Sequence, residues 1–224
     1  MTDIMTAPGA ARVFTRLATS RTSAAAASVP NAALALLGLL FVLPLMVAVA
    51  LAIWVQDRGP VLFAHRRVGR GGKSFYCLKF RSMALDAEAR LQELLANDPV
   101  AAAEWEADHK LRNDPRVTPL GAFLRKTSLD ELPQLFNVLR GEMNLVGPRP
   151  IVDAEIEKYG SRFRHYCAVK PGITGLWQVS GRNDVSYRER VAMDCLYAKK
   201  HNAMLDAWVL FATIPAVLAR KGSY

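Results

Sequence analysis

Residues 31–55 read NAALALLGLLFVLPLMVAVALAIWV and contain no charged side chain. At 1.5 Å per residue, a helix of this length extends roughly 37 Å, which is enough to cross the hydrocarbon core of a bilayer. We therefore expect a membrane helix at residues 31–56. Residues 1–30, which are rich in Ala, Ser and Thr, are expected to form a mobile N-terminal tail.

The charges on both sides of the apolar segment predict its topology. Arg12, Arg16 and Arg21 precede it, and five Lys and Arg residues follow it between positions 58 and 73. Because positive flanks tend to remain in the cytoplasm, both ends favour the same side of the membrane. A re-entrant helix bent at Pro44, where a helix hydrogen bond is missing, satisfies both flanks. The alternative is a single kinked span with its N-terminal charges translocated.

The composition indicates an anionic partner. The chain of 224 residues has a formal net charge of +9, which suits nucleic acid, an anionic lipid surface or a phosphorylated substrate. Cys77, Cys167 and Cys195 are widely spaced and show neither a disulfide framework nor the spacing of zinc ligands. We interpret them as reduced cytoplasmic thiols.

The rest of the chain predicts a mainly α fold with one small β-hairpin, in a compact domain at residues 57–224. The hairpin strands are expected at 61–63 and 75–80, on either side of a Gly-rich turn at 69–72. Helices are expected at 84–109 with a break at Asp98-Pro99, and at 119–125, 130–139, 151–166 and 187–202.

An apolar stretch at residues 208–218 is too short to span a membrane. Lys199 and Lys200 precede it, and Arg220 and Lys221 follow it. These flanks predict an amphipathic helix that lies in the membrane interface with its basic ends near anionic headgroups. A buried core helix is the alternative.

Asp130 and Glu131 form an adjacent carboxylate pair within the stretch KTSLDELPQ at residues 126–134. One interpretation is structural, because Asp is a favoured helix N-cap and Pro133 is tolerated in a first helical turn. The other is catalytic: an ionised carboxylate at a helix start acts as a nucleophile toward phosphorus, and its neighbour binds a divalent metal or transfers protons. Spacing alone does not decide between them.

Three arginines are candidates for phosphate contact. Arg125 lies just before the carboxylate pair, Arg149 is held between two prolines in GPRP at residues 147–150, and Arg182 lies in SGRND at residues 180–184. A planar guanidinium suits phosphate oxygens, and a stiff loop loses little entropy on binding. Arg149 and Arg182 are otherwise surface loop residues.

Five motifs occur in one order along the chain: KFRSM at 79–83, DPRVT at 114–118, LRKTSLDELPQ at 124–134, GPRP at 147–150 and KPGITGLWQV at 170–179. Together they resemble the bacterial sugar transferase family, the monotopic phosphoglycosyl transferases that start polysaccharide assembly. The family's re-entrant helix is commonly bent at Ser-Pro, whereas this chain has Leu43-Pro44. The chain also lacks the multi-span N-terminal region of longer members, so it is expected to group with the compact ones.

The resemblance implies transfer of a sugar 1-phosphate from a UDP-sugar to undecaprenyl phosphate, with Mg2+, at the cytoplasmic face of the bacterial inner membrane. By similarity, Asp130 attacks the sugar-bearing phosphorus, UMP leaves, and undecaprenyl phosphate then attacks the aspartyl phosphosugar. Glu131 completes the pair as a metal ligand beside Asp130 or as a proton handler. Arg125 and Arg149 match positions suited to phosphate contact, and Arg182 is a further candidate.

Two other classes of function remain open at this point. One is a catalytically silent membrane scaffold for exopolysaccharide, capsule or O-antigen assembly. The other is a membrane-tethered nucleic-acid-binding protein, although no nucleic-acid-binding motif is recognisable and we expect no nucleic-acid partner.

Galactose or glucose is the expected sugar, because residues 84–109 resemble hexose-type members. The oligomeric state is open, and a homo-oligomer is among the expected states.

Overall fold

The computed structural model describes residues 28–108, 111, 114–181 and 185–218. The apolar segment forms helix α1, Ser28–Asp57, which is longer at both ends than residues 31–55. The helix continues through Pro44. Arg58 ends it by adopting a left-handed conformation with φ 56°, and its N–H bonds the carbonyl oxygen of Trp54 at 2.7 Å. The predicted mobile tail lies almost entirely outside the described residues.

Helix α1 packs along the rest of the molecule through one of its sides. Buried side chains come from both halves of the helix, namely Ala35, Leu39, Met46, Val49 and Ile53. They share one hydrophobic core with residues from strand, helix and loop segments farther along the chain: Phe75, Cys77, Phe80, Leu124, Leu135, Val138 and Met143. The other sides of the helix remain apolar and exposed. Among the described residues, one helix is long and apolar enough to cross a membrane.

The predicted hairpin is confirmed. Strand β1, Leu62–Val68, pairs antiparallel with strand β2, Ser74–Phe80. The turn between them is a short 3-10 helix, Arg70–Gly72, in which both glycines have positive φ. Strand β1 is longer than the expected residues 61–63, because the polar and basic residues after Phe63 are also paired in the ladder.

Helices make up most of the remaining structure: α2 Ala87–Asn97, α3 Pro99–Asp108, α4 Pro119–Thr127, α5 Gln134–Leu139, α6 Ile156–Tyr159, α7 Phe163–Ala168, α8 Leu176–Ser180, α9 Tyr187–Lys200 and α10 Ala203–Leu218. The predicted break at Asp98-Pro99 is confirmed. Asp98 accepts the backbone N–H groups of Val100 and Ala101 through its side chain, which caps the start of α3.

The prediction of one helix over residues 151–166 is wrong. The segment consists of α6 and α7 with 3-10 turns at Asp153–Glu155 and Gly160–Arg162. Gly160 has φ 50° and ψ −131°, which is incompatible with a continuous helix and places the break between Tyr159 and Phe163.

A short parallel ladder was not predicted from the sequence. Strand β3, Asn144–Val146, pairs with strand β4, Gly172–Thr174. The backbones approach so closely here that a Cβ atom on Gly172 would clash with the backbone nitrogen of Gly147. This ladder joins the loop that contains Arg149 to the loop before α8.

Helix α10 is packed on one side and exposed on the other. Val209 is fully buried against Val146 and Tyr197. The exposed side is apolar, with Met204, Trp208, Phe211 and Ile214 each more than half exposed. The helix is therefore anchored in the core by one side and presents an apolar stripe on the other.

Candidate active site

The two adjacent carboxylates lie in a 3-10 turn, Leu129–Glu131, between α4 and α5. Ser128 has φ 58° and donates its N–H to the carbonyls that end α4. Helix α5 begins at Gln134, after Pro133. The expected helix over residues 130–139 is thus shorter by one turn, and Asp130 is not its N-cap. Its burial needs another explanation.

Asp130 is a buried carboxylate with 8% of its surface exposed. The pKa of Asp130 is raised to about 6, mainly by burial and also by the neighbouring Glu131 carboxylate. The positive charges of Lys79 and Arg125 lower this pKa and offset part of the increase. The group is therefore ionised in most molecules at neutral pH and is protonated in mildly acidic solution.

Glu131 is fixed by an ion pair. Lys79 Nζ donates to Glu131 Oε1 at 2.6 Å, and both side chains are partly exposed. Burial alone raises the pKa of Glu131, but Lys79, Arg149 and a hydrogen bond from Gln134 outweigh it and lower the pKa. Glu131 is consequently a carboxylate throughout the neutral range.

A small cleft opens beside Glu131. Its polar lining consists of Arg67, Lys79, Glu131, Gln134, Arg149 and Gln178. Three cations thus face one carboxylate across a small volume, an arrangement that favours an anionic ligand.

Arg67 and Lys79 were not singled out as site residues from the sequence. The Arg67 side chain is 13% exposed, and its Nη1 donates to the carbonyl oxygen of Pro150 at 3.3 Å. The signals were present, since Lys79 begins the KFRSM motif and Arg67 lies in a basic strand. Only the antiparallel register, in which the two strands lie side by side, places both residues at the cleft.

The predicted arginines occupy different positions. Arg149 lines the cleft, with its guanidinium carbon 5.8 Å from the centre of the Trp177 ring. Arg125 does not line it. Its Nε donates to Ser82 Oγ at 2.9 Å, and the Asp130 charge counteracts the lowering of its pKa by burial. Arg182 lies outside the described residues.

A second buried carboxylate, which the sequence does not predict, interacts electrostatically with Arg149. Asp194 is 2% exposed and accepts a 2.6 Å hydrogen bond from the hydroxyl of Tyr159. Burial raises the pKa of Asp194 to about 7, while the Tyr159 hydrogen bond and the Arg149 charge lower it. Asp194 is therefore ionised in about half of the molecules at neutral pH and then interacts with the Arg149 charge.

The carboxylates of the site are oxygen donors of the kind that Mg2+ prefers. The described part of the chain contains no group of three or more His, Cys, Asp or Glu side chains that could together hold an ion. Asp130 and Glu131 do supply two hard oxygen donors. Mg2+ commonly binds one or two carboxylates and completes its shell with water and substrate phosphates, so this donor set fits that mode of binding.

Comparison with known proteins identifies a matching family and several relatives. Residues 22–220 match the model of the bacterial sugar transferase family. The undecaprenyl-phosphate galactose phosphotransferase of Salmonella typhimurium is 59% identical over 169 residues, which are 75% of this chain and 36% of that protein. The chain therefore spans about a third of the length of this relative.

This chain covers very different shares of two further relatives. The exopolysaccharide production protein ExoY of Sinorhizobium fredii is 48% identical over 191 residues, 85% of this chain and 84% of that protein. The UDP-glucose:undecaprenyl-phosphate glucose-1-phosphate transferase of Escherichia coli is 39% identical over 201 residues, 85% of this chain and 40% of that protein. The match over nearly the whole sequence confirms the resemblance of the five motifs: this chain belongs to the bacterial sugar transferase family.

Proposed function

We propose that this chain transfers a sugar 1-phosphate from a UDP-sugar to undecaprenyl phosphate, and that Asp130 forms the covalent intermediate. The observation that supports this most strongly is the buried Asp130 directly before Glu131, whose ion pair with Lys79 lies at a cleft lined by cations. The relatives from Salmonella typhimurium and Escherichia coli are named for this class of transfer.

In the first step, a carboxylate oxygen of Asp130 attacks the sugar-bearing phosphorus. The new O–P bond forms as the bond to the bridging oxygen of the diphosphate breaks, and UMP leaves with that oxygen. The raised pKa of Asp130 supports this role, because a carboxylate that is poorly solvated when ionised is a stronger nucleophile than a hydrated one.

In the second step, a phosphate oxygen of undecaprenyl phosphate attacks the same phosphorus. The aspartyl bond breaks, the Asp130 carboxylate is regenerated, and undecaprenyl diphosphate sugar is released. Two anionic substrates thus use one site in turn. Lys79 and Arg149 offset the negative charge of each, since both line the cleft.

Asp130 and Glu131 are the proposed ligands for Mg2+, which would neutralise charge on the phosphate oxygens. The lowered pKa of Glu131 argues against a proton donor, because this group remains ionised at neutral pH. Of the two roles expected for Glu131, its ionisation therefore favours a partner for cations, either the Lys79 ammonium or the metal.

We further propose that helix α1 is re-entrant. Near its start, the side chain of Asn31 accepts the N–H of Leu145 at 3.1 Å, and at its end Asp57 forms an ion pair with Arg81. Both ends thus contact the part of the molecule that contains Asp130. A straight span of 30 residues would separate its ends by about 45 Å and place Asn31 across the membrane from Leu145.

The exposed stripe of α10 is the proposed second contact with the membrane. Trp208 and Phe211 are large apolar side chains on its outer surface. Interfacial helices bury such side chains at the boundary of headgroups and acyl chains. Together, α1 and α10 would hold the site at the cytoplasmic face of the inner membrane, where both substrates meet.

A transfer assay tests the proposed function. Purified protein with Mg2+, undecaprenyl phosphate and radiolabelled UDP-galactose or UDP-glucose is expected to yield a labelled lipid, and Asp130→Asn is expected to yield none. Galactose and glucose are the first sugars to test, because relatives are named for each. If no common UDP-hexose gives a lipid-linked product, the scaffold interpretation is favoured instead.

A further inference from the structure

The hairpin register shows that the cleft wall continues along strand β1. Phe63 pairs with Lys79, and His65 pairs with Cys77. Residues directly opposite each other in an antiparallel ladder project to the same side of the sheet. Since Lys79 and Cys77 line the cleft, Phe63 and His65 lie on the same side of the hairpin, next to the cleft.

Phe63 presents an aromatic ring to this side. The residue is 52% exposed, and its ring meets the His65 ring edge-on with centroids 5.8 Å apart. An exposed aromatic ring beside a cationic cleft can stack on a planar ligand group whose charged part occupies the cleft.

His65 is fixed in one tautomer by its neighbour. Arg67 Nη2 is always a donor, so His65 Nδ1 accepts its hydrogen bond at 3.3 Å. In the neutral ring the proton is then on Nε2. Burial, Arg67 and Lys79 lower the pKa of His65, so the neutral ring dominates at physiological pH. Its Nε2–H can donate to a carbonyl oxygen.

The direction of the reaction determines which part of the substrate reaches these rings. In phosphoryl transfer the attacking and leaving oxygens are roughly in line. Arg67, Lys79 and Arg149 line the cleft beside Glu131, the residue that follows Asp130 in the chain. The cleft cations are thus placed to receive the phosphate of the departing UMP. A nucleoside attached to a phosphate at Arg67 reaches His65 by extending along strand β1, because Arg67 contacts His65.

We infer that the Phe63–His65 edge of the hairpin is a nucleoside subsite, in which Phe63 stacks on the uracil ring of the UDP-sugar and His65 donates to a uracil carbonyl oxygen. This inference rests on the proposed function. It assigns recognition of the base to strand β1 and recognition of the phosphates to Arg67, Lys79 and Arg149.

Calorimetric titration of purified full-length protein with UMP tests the subsite. Phe63→Ala is expected to weaken UMP binding about tenfold, as loss of one stacked base does elsewhere, whereas Phe63→Trp is expected to preserve it. Ribose 5-phosphate, which lacks the base, is expected to inhibit sugar transfer by the wild type and by Phe63→Ala equally. Tyr76→Ala is the matched control, because Tyr76 is an exposed aromatic residue of β2 on the opposite side of the hairpin.

The outcomes separate the subsite from other roles of Phe63. In Phe63→Ala, the inference predicts that the KM values for UDP-galactose and UDP-glucose rise by the same factor. The KM for undecaprenyl phosphate is expected to stay unchanged. Unchanged UMP affinity in Phe63→Ala, an effect on one sugar only, or a change confined to the lipid substrate would each overturn it. If the wild type transfers sugar and Phe63→Ala behaves like it, the subsite alone is refuted. If the wild type neither binds UMP nor transfers sugar, the proposed function fails as well.

Discussion

Lys79 Nζ lies 2.6 Å from Glu131 Oε1, which joins strand β2 to the 3-10 turn that contains both carboxylates. The same ammonium lowers the pKa of Asp130 and of Glu131. Lys79 therefore has two effects: it fixes the position of the turn, and it keeps two neighbouring carboxylates ionised in a largely buried place.

Asp130→Asn is expected to abolish transfer while raising the stability of the protein at neutral pH. The pKa of Asp130 is 3.8 when unperturbed and about 6 in the fold, so the folded state binds more protons between these values. Stability thus falls as pH rises through this window, and an amide removes that loss. The expected gain is about 1–3 kcal/mol at pH 7.5 in chemical unfolding, and it should vanish below about pH 4. A variant less stable than the wild type at pH 7.5 would contradict the raised pKa assigned to Asp130.

The rate of UMP release is expected to rise with pH along an acid limb near pH 6, because Asp130 must be ionised to attack. Lys79→Met should move this limb to higher pH, since the ammonium lowers the pKa of Asp130. Lys73→Met is the control, because Lys73 is an exposed residue of the hairpin turn. If the acid limb of UMP release lies at the same pH in Lys79→Met as in the wild type, ionisation of Asp130 does not cause this limb.

Asn137→Ala is expected to cost roughly 2–4 kcal/mol of unfolding free energy. Asn137 is fully buried; its side chain accepts the N–H of Leu78 and donates to Tyr76 O and Glu142 Oε2. Its loss leaves these groups without this partner and removes hydrogen bonds between α5 and β2, the strand that contains Lys79. Urea titration measures the change. Asn97→Ala is the control, since the exposed Asn97 side chain donates a hydrogen bond within its own helix. A loss of unfolding free energy below about 0.5 kcal/mol in Asn137→Ala would refute the structural role of Asn137.

Cysteine labelling tests the topology of α1. In a variant whose native cysteines are replaced by Ser, Ser20→Cys is expected to react with a membrane-impermeant maleimide only when the cytoplasmic face is accessible. Lys73→Cys, in the exposed hairpin turn, marks the side on which the catalytic part lies. Reaction of the two positions from opposite sides would establish a full span and rule out the re-entrant helix.

The sequence predicted those parts of the fold that depend on local signals. The hairpin turn contains three glycines, the break before α3 is Asp98-Pro99, and the apolar run of α1 has no charge. The β3–β4 ladder escaped prediction because each strand has only three residues and their pairing depends on a distant segment. Gly160 was read as part of a helix, although its positive φ interrupts it.

The sequence predicts those site residues that belong to a recognisable motif. Asp130, Glu131 and Arg149 stand out by type and flanking prolines, whereas Arg67 looks like one basic residue among several. Its position at the cleft follows from the register of β1 against β2, which no local pattern specifies. The buried Asp194 was missed for the same reason, because its burial results from packing of α9 against other segments.

The covalent intermediate provides the most direct test of the proposed function. Wild-type protein is incubated with Mg2+ and UDP-sugar without undecaprenyl phosphate, and its peptides are analysed by mass spectrometry while released UMP is measured. We expect one hexose phosphate on the peptide that contains Asp130, with UMP released in up to equal amount, and neither in Asp130→Asn. UMP that appears only when the lipid is added, with no modified peptide, would contradict the two-step mechanism and indicate direct transfer.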